Sequence, residues 1–314
     1  MFKTGRVLLA ATSVALLALT ATACNDNDSD GGLAGSGNKS AEAGSTGSGA
    51  DKSGALGGAV DAVSLLKSVS DKTAAAKSAK VEVTNEMGTS TTSMKGALSW
   101  ENGLQGEMSG GIGGGAMGES LAKAGSDGKM SARYLSDAMY INMGDAMAGQ
   151  LGGAHWIKYG YADLTKLMGP AGDSLKNQIQ NADPISSVRA LIASGQITKA
   201  GTDKVNGTEA TKYTGDLSAT DITAATTKGL TQDQIDALEK QFSAAGISTE
   251  HIEIWISKDN LLLKKIEQFD SKAGKVTSTA VYSDYGTAIK VSAPPASDTV
   301  DFAELMAAGS DSGS

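Results

Sequence analysis

Cys24 is the single cysteine of a 314-residue chain, and its surroundings prescribe a definite reaction. Ala21, Thr22 and Ala23 precede it, the small residues of a lipobox, with Ala21 where Leu is usual. A thiolate there is the soft nucleophile that takes a diacylglyceryl group as a thioether. Cleavage before Cys24 then frees an α-amine that can be acylated in turn. Each buried methylene contributes about 0.8 kcal/mol, so two chains hold a protein at a bilayer where one holds only marginally. The preceding residues suit export: Lys3 and Arg6, then an apolar run from Val7 to Leu19. That run is shorter than the roughly 20 residues a membrane span needs. Residues 1–23 therefore read as a signal peptide and Cys24 as the lipidation site. A lone thiol in an exported chain leaves no internal disulfide to form.

Other chemistry is sparse. His155 and His251 both sit in strand-like alternation, neither in metal-ligand spacing, and a surface or structural histidine is the default. Gly-x-Ser-x-Gly and Walker loops are missing from the chain. Gly113, Gly115 and Gly118 satisfy a bare dinucleotide fingerprint, but no buried strand leads into them. Asp26, Asp28, Asp30 and Gly31 open like a calcium loop, yet Gly37 stands where the bidentate Glu belongs. Met139, Met143 and Met147 lie four apart, with Met87, Met94, Met108, Met117, Met130 and Met168 in the same half. Thioethers are soft ligands for Cu(I), but an adaptable apolar surface accounts for them better. No catalytic residue, metal or cofactor is assigned.

The formal charge of −8 becomes −10 once Lys3 and Arg6 leave with the signal. An acidic surface argues against nucleic acid as a partner. It gives no attraction to anionic lipid either, so the membrane contact must be covalent. Aromatic residues make up 4% while Gly numbers 40, so the core must rest on Ala, Val, Ile, Leu and Met.

These features need elements to position them. Residues 24–57 hold the acylated Cys24 and a Gly/Ser/Asp-rich stretch that cannot bury enough surface to fold. As a flexible tether it spans about 30 Å. Residues 58–307 read as one domain, and 308–314 as a disordered tail. Val60, Val63, Leu66 and Val69 open the domain with a helix running to Ala79. Period-two segments follow: Val81 and Val83; Met94 to Trp100; Arg133 to Leu135; Met139 to Met143; Trp156 to Tyr161. Ser109 to Lys129 reads as a Gly-rich loop. A helical region over Asp173 to Ala193 is broken at Asp183-Pro184, with Asp183 as cap and Pro184 in the first turn. Strands Ile197 to Ala200 and Ala210 to Leu217 flank the hairpin turn Asn206-Gly207. Thr231 and Gln234 form a capping box for a helix over Gln232 to Ala245. Ile252, Ile254 and Ile256 then face one way, and His251, Glu253 and Trp255 the other. Strands Leu261 to Phe269, Val276 to Tyr282 and Ile289 to Ser292 complete the pattern, which stops at Pro294-Pro295. Short connections imply antiparallel pairing. The fold class is α+β: a large curved antiparallel sheet, or half-barrel, with helices packed on its concave face.

A family resemblance rests on several short segments in order. They are Lys80-Val81-Glu82-Val83, Ala138-Met139-Tyr140-Ile141, Trp156-Ile157-Lys158-Tyr159, Asp183-Pro184 and Val205-Asn206-Gly207. Ile254-Trp255-Ile256, Leu263-Lys264-Lys265, Tyr282-Ser283-Asp284-Tyr285-Gly286, Val291 and Pro294-Pro295 follow. With the lipobox and tether, the chain over residues 59–305 resembles the mycobacterial LppX/LprA/LprF/LprG lipoproteins and, more distantly, the LolA and LolB carriers. The resemblance implies a half-barrel around helices, holding acyl chains of a lipid or glycolipid without enzymatic activity. From the lipobox, the expectation is a monomer on the outer face of the cell membrane, anchored by a diacylglyceryl group on Cys24. The resemblance supplies no ligand-contacting signature. From the residues, the candidate cavity is lined by Leu98, Met139, Ile141, Ile157, Ile235, Leu238, Phe242, Ile252, Ile254 and Ile256. The alternative is that these residues simply pack together and the domain is a ligand-free interaction or sensor module.

Overall fold

The computed structural model describes residues 52–311, apart from 124, 181, 222–231 and 273. In chain order, α1 (Lys52–Ala76) is followed by β1 (Ser78–Met87), β2 (Ser90–Ser99), β3 (Gln105–Gly113), α2 (Gly115–Lys123), β4 (Lys129–Tyr134) and β5 (Ala138–Asn142). Next come α3 (Asp145–Ala148), β6 (Trp156–Gly160), α4 (Tyr161–Met168), α5 (Pro170–Gln180) and α6 (Ser186–Ser194). Then follow β7 (Thr198–Val205), β8 (Thr208–Ser218), α7 (Gln232–Ala245), β9 (Thr249–Ser257), β10 (Leu262–Ser271), β11 (Gly274–Ser283), β12 (Thr299–Asp301) and α8 (Phe302–Asp311).

The strands form one open sheet in the order β12-β6-β5-β4-β3-β2-β1-β11-β10-β9-β8-β7. Every pairing is antiparallel except β12 with β6, which is parallel because the chain crosses from β11 to the far edge before pairing again. The α+β class with a large, largely antiparallel sheet and covering helices is thus the fold observed. Leu66 and Val69 from α1, Tyr161 and Leu164 from α4, Ile179 from α5, and Val188 and Leu191 from α6 join the strand residues in one core. That core lies on a single face of the sheet, the inner face. On the outer face Trp156 lies under Arg133, whose guanidinium is 4.8 Å from the ring centroid. Trp255 lies between the ammonium groups of Lys212 and Lys264, at 4.9 and 4.6 Å. These cations cover aromatic surface that would otherwise face water.

Local chemistry sets the boundaries. The helix expected to reach Ala79 stops at Ala76, because Lys77 turns left-handed (φ 64°) and Ser78 already pairs with β2. Helix α1 begins at Lys52, inside the stretch read as tether, and α8 runs to Asp311, inside the stretch read as tail. Asn206 and Gly207, at φ 48° and 82°, make the tight hairpin turn between β7 and β8. Asp183 caps not α6 but the turn before it: its carboxylate accepts from the Ile185 N–H at 3.0 Å, and the helix starts at Ser186.

Two expectations are corrected outright. The stretch from Ser109 to Lys129 is not a loop: β3 runs to Gly113 and α2 follows. Residues 289–292 form no strand. They belong to an extended strap from β11 to β12, tied down by Gly286 N–H to the Ser78 carbonyl (2.9 Å) and by Arg133 to the Ser292 carbonyl (3.3 Å). Pro294 and Pro295 lack the N–H groups that ladder pairing needs. Thr231 and Leu230, expected to cap and staple α7, lie outside the described residues, as do the signal, Cys24 and the stretch of tether before α1.

Candidate functional site

The inner face can be read row by row from the register. One row runs Val81, Gly96, Met108, Ala132, Ile141 from β1 to β5. A second runs Val83, Met94, Gly110, Met130, and a third Ala79, Leu98, Gly106, Tyr134, Met139. Methionine and glycine thus alternate across the sheet. Met94, Met108 and Met139 are 3% exposed and Met130 5%. The glycines allow the strands to approach closely. A Cβ on Gly96 would lie 1.9 Å from the Glu107 carbonyl oxygen, and one on Gly110 1.8 Å from that of Ser93. The floor of the layer is therefore unbranched thioether side chains between bare backbone, a surface that repacks easily.

Six of the ten residues expected to line a cavity meet in this core: Leu98, Met139, Ile141, Ile252, Ile254 and Ile256. Ile157 is partly buried and packs against them. Phe242 on α7 is buried, while the side chains of Ile235 and Leu238 lie outside the described residues. Two clefts open at strand ends. The larger, about 720 Å³, lies between Lys77, Glu101, Gln105 and the strap at Lys290. The smaller, about 240 Å³, shares Asn102 with it and reaches Leu104 and Gln180. Neither is lined by any of the ten residues.

The half of the inner face formed by β9, β10 and β11 carries charge. Lys265 is 1% exposed and Glu267 5%. The Lys265 ammonium donates to Glu267 Oε1 at 2.8 Å and to the Ser187 hydroxyl of α6 at 3.4 Å. Both residues were missed because a β-bulge between Leu262 and Lys264 exchanges the faces of β10. Without the bulge, Ile266 would point inward and Lys265 outward; with it, Lys265 lies opposite Ile254 and Glu267 opposite Ile252. Glu250 shares the inner face with Ile252. Burial, and then the negative charge of Glu267, raise its pKa to about 8, against a smaller lowering by Lys265. Three buried polar atoms have no partner among the described residues: the hydroxyls of Tyr161 and Tyr282 and the indole N–H of Trp100. Burial raises the pKa of both tyrosines, so both hydroxyls stay protonated.

His251 lies on the outer face, in β9, and His155 precedes β6 beside the strap. His251 Nδ1 lies 2.7 Å from Asp216 Oδ1, and its Nε2 lies 3.1 Å from the Thr214 hydroxyl, the order of a carboxylate–imidazole–hydroxyl relay. These side chains are set on β8 and β9, near the β7 edge of the sheet but bonded on both sides. The ladder engages the surrounding N–H groups, so the hydroxyl has no oxyanion donors beside it. His155 Nδ1 lies 2.6 Å from Asp298 Oδ1, an oxygen that also accepts from the His155 N–H. The hydrogen bond and charge of Asp298 raise the His155 pKa, and the contact fastens the strap to β6. Among the described residues no group of three His, Cys, Asp or Glu side chains is placed to hold a metal ion.

No family model matches. An uncharacterized protein of Streptomyces griseus is 47% identical over 249 residues, covering 79% of this chain and 81% of the relative. A Streptomyces coelicolor protein named "Putative lipoprotein" is 35% identical over 243 residues, covering 77% and 75%. This chain belongs to the family of these two Streptomyces proteins. Among solved structures, the lipoprotein LppX of Mycobacterium tuberculosis is similar at 15% identity and a TM-score of 0.43, covering 74% of this chain and 99% of that one.

Proposed function

We propose that this protein is a cell-envelope lipoprotein, anchored to the outer face of the membrane through a diacylglyceryl group on Cys24, that holds an amphiphilic ligand between its sheet and its helices. The observation carrying the ligand reading is the floor of Met94, Met108, Met130 and Met139 set among Gly96, Gly106 and Gly110. Methionine loses little in changing rotamer and keeps apolar contact as it does so. Such a floor re-forms around an acyl chain, where a floor of branched side chains would resist it. Family membership beside a protein named as a lipoprotein supports the anchor, together with the lipobox at Cys24. No described helix is long and apolar enough to cross a membrane.

A second reading, a ligand-free interaction or sensor module, is favoured by one observation: neither described cleft is lined by any of the ten candidate cavity residues. One experiment separates the two. The full chain is expressed in its native envelope, purified in mild detergent, extracted with organic solvent and analysed by mass spectrometry. The ligand reading predicts a stoichiometric envelope amphiphile in the extract, released from the protein and distinct from the acyl groups left on Cys24. An extract containing only detergent and bulk lipid in membrane proportions favours the ligand-free module. A Cys24→Ser chain, prepared in parallel, is expected in the soluble fraction; its retention in membranes would count against the anchor.

A further inference from the structure

The charged half of the inner face is the least expected feature of the layer. Strand residues facing the helices here are Ile252, Ile254, Ile256 and Ala280, all buried. Into this apolar surface the sheet sets Lys265, Glu267 and Glu250, with Ser187 above them on α6. Tyr282 joins them on β11. It lies two residues beyond Ala280, the residue opposite Lys265, and so on the same face. It is 2% exposed and its hydroxyl has no hydrogen-bond partner among the described residues.

The charges balance. Lys265 and Glu267 neutralise each other at 2.8 Å, and burial beside Glu267 favours the protonated form of Glu250. An anionic head brought into the cluster meets Glu267 and converts a neutral site to an uncompensated negative one. A cationic head does the reverse beside Lys265. Burying an unpaired charge is far more costly than burying a hydrogen-bonded neutral group. What the cluster lacks is a partner for Tyr282, and a group that both donates and accepts supplies it.

We infer that Tyr282, Lys265, Glu267 and Glu250 form the polar end of the interlayer site, and that it selects amphiphiles whose head is uncharged and bears hydroxyl or amide groups. This inference rests on the ligand reading proposed above and adds the class of head group and the residues that recognise it.

The test uses the purified full-length chain and three amphiphiles with one alkyl chain in common: 1-O-dodecylglycerol, dodecyl phosphate and dodecylammonium. Each is titrated calorimetrically below its micelle concentration at pH 7. The uncharged diol is expected to bind about tenfold or more tightly than either ion, the discrimination a buried unpaired group provides. Tyr282→Phe should lower the affinity for the diol about fivefold while leaving the two ions unchanged. The urea midpoint of Tyr282→Phe, read alongside, guards against misreading a folding defect. Equal binding of all three, or tighter binding of an ion, would overturn the head-group inference alone. Failure of all three to bind would remove the ligand reading and this inference with it.

Discussion

At the scale of single residues, the inner face combines soft apolar side chains with one buried ion pair. Lys265 and Glu267 show how tightly such a pair is bound to its setting. Removing one partner leaves a charge at 1% or 5% exposure with nothing to neutralise it. Lys265→Met alone is expected to cost about 3–5 kcal/mol, whereas Lys265→Met with Glu267→Met should recover to within about 1 kcal/mol of the parent. Urea denaturation of the three chains measures this, and a harmless single variant would show that the ammonium is not enclosed. Glu250 makes a pH prediction. Its folded pKa of about 8 exceeds its ordinary value of 4.5. Below 4.5 both folded and unfolded chains hold the proton. Between 4.5 and about 8 only the folded chain holds it, so this contribution to stability declines as pH rises through that window. The urea midpoint of the parent should therefore fall more steeply from pH 5 to 8.5 than that of Glu250→Gln. Parallel curves would contradict the shift.

At the scale of elements, β3 joins glycine to geometry. Gly106 and Gly110 occupy inner-face positions where other strands place large apolar residues. Gly110→Ala should cost about 3 kcal/mol, because its Cβ would meet the Ser93 carbonyl at 1.8 Å and a backbone must move. Gly113→Ala, with nothing within 4 Å, should stay within about 0.5 kcal/mol of the parent. Thermal melts of both variants check the contrast. The same glycines explain why β3 was illegible as a strand: its inward positions read Gly106, Met108, Gly110, Ile112, so half of the period-two signal has no side chain. Strand β9 shows the opposite case, since Ile252, Ile254 and Ile256 alternate with polar residues and lie where that alternation puts them. Strand β10 was legible as a strand but not by face, because a bulge leaves no trace in composition. The strap escaped too, since Ile289 and Val291 carry strand periodicity while the following prolines and the crossing to β6 deny them a partner.

At the scale of the whole molecule, an acidic chain with one cysteine carries a layer of methionine, glycine and one buried polar cluster that faces its own helices, and the anchor proposed at Cys24 would hold that layer beside a membrane that its charge does not attract. The fold class was readable, and the six of the ten candidate cavity residues that share one buried core do so because burial on one face of a sheet enforces alternation. The polar cluster was not, because only the three-dimensional register brings Lys265, Glu267, Glu250 and Tyr282 to one face. The chain holds three tryptophans, and they divide between the two faces: Trp100 packs against the inner core, while Trp156 and Trp255 lie under outer-face cations. This division gives the most direct test of a ligand held between sheet and helices. A chain carrying Trp156→Phe and Trp255→Phe, and a second carrying Trp100→Phe and Trp156→Phe, are titrated with 1-O-alkylglycerol bearing a brominated chain, and tryptophan fluorescence is read. Saturable quenching of Trp100, with Trp255 unaffected, is the predicted result; quenching of Trp255 to the same extent, or no quenching of Trp100 at saturation, would contradict it.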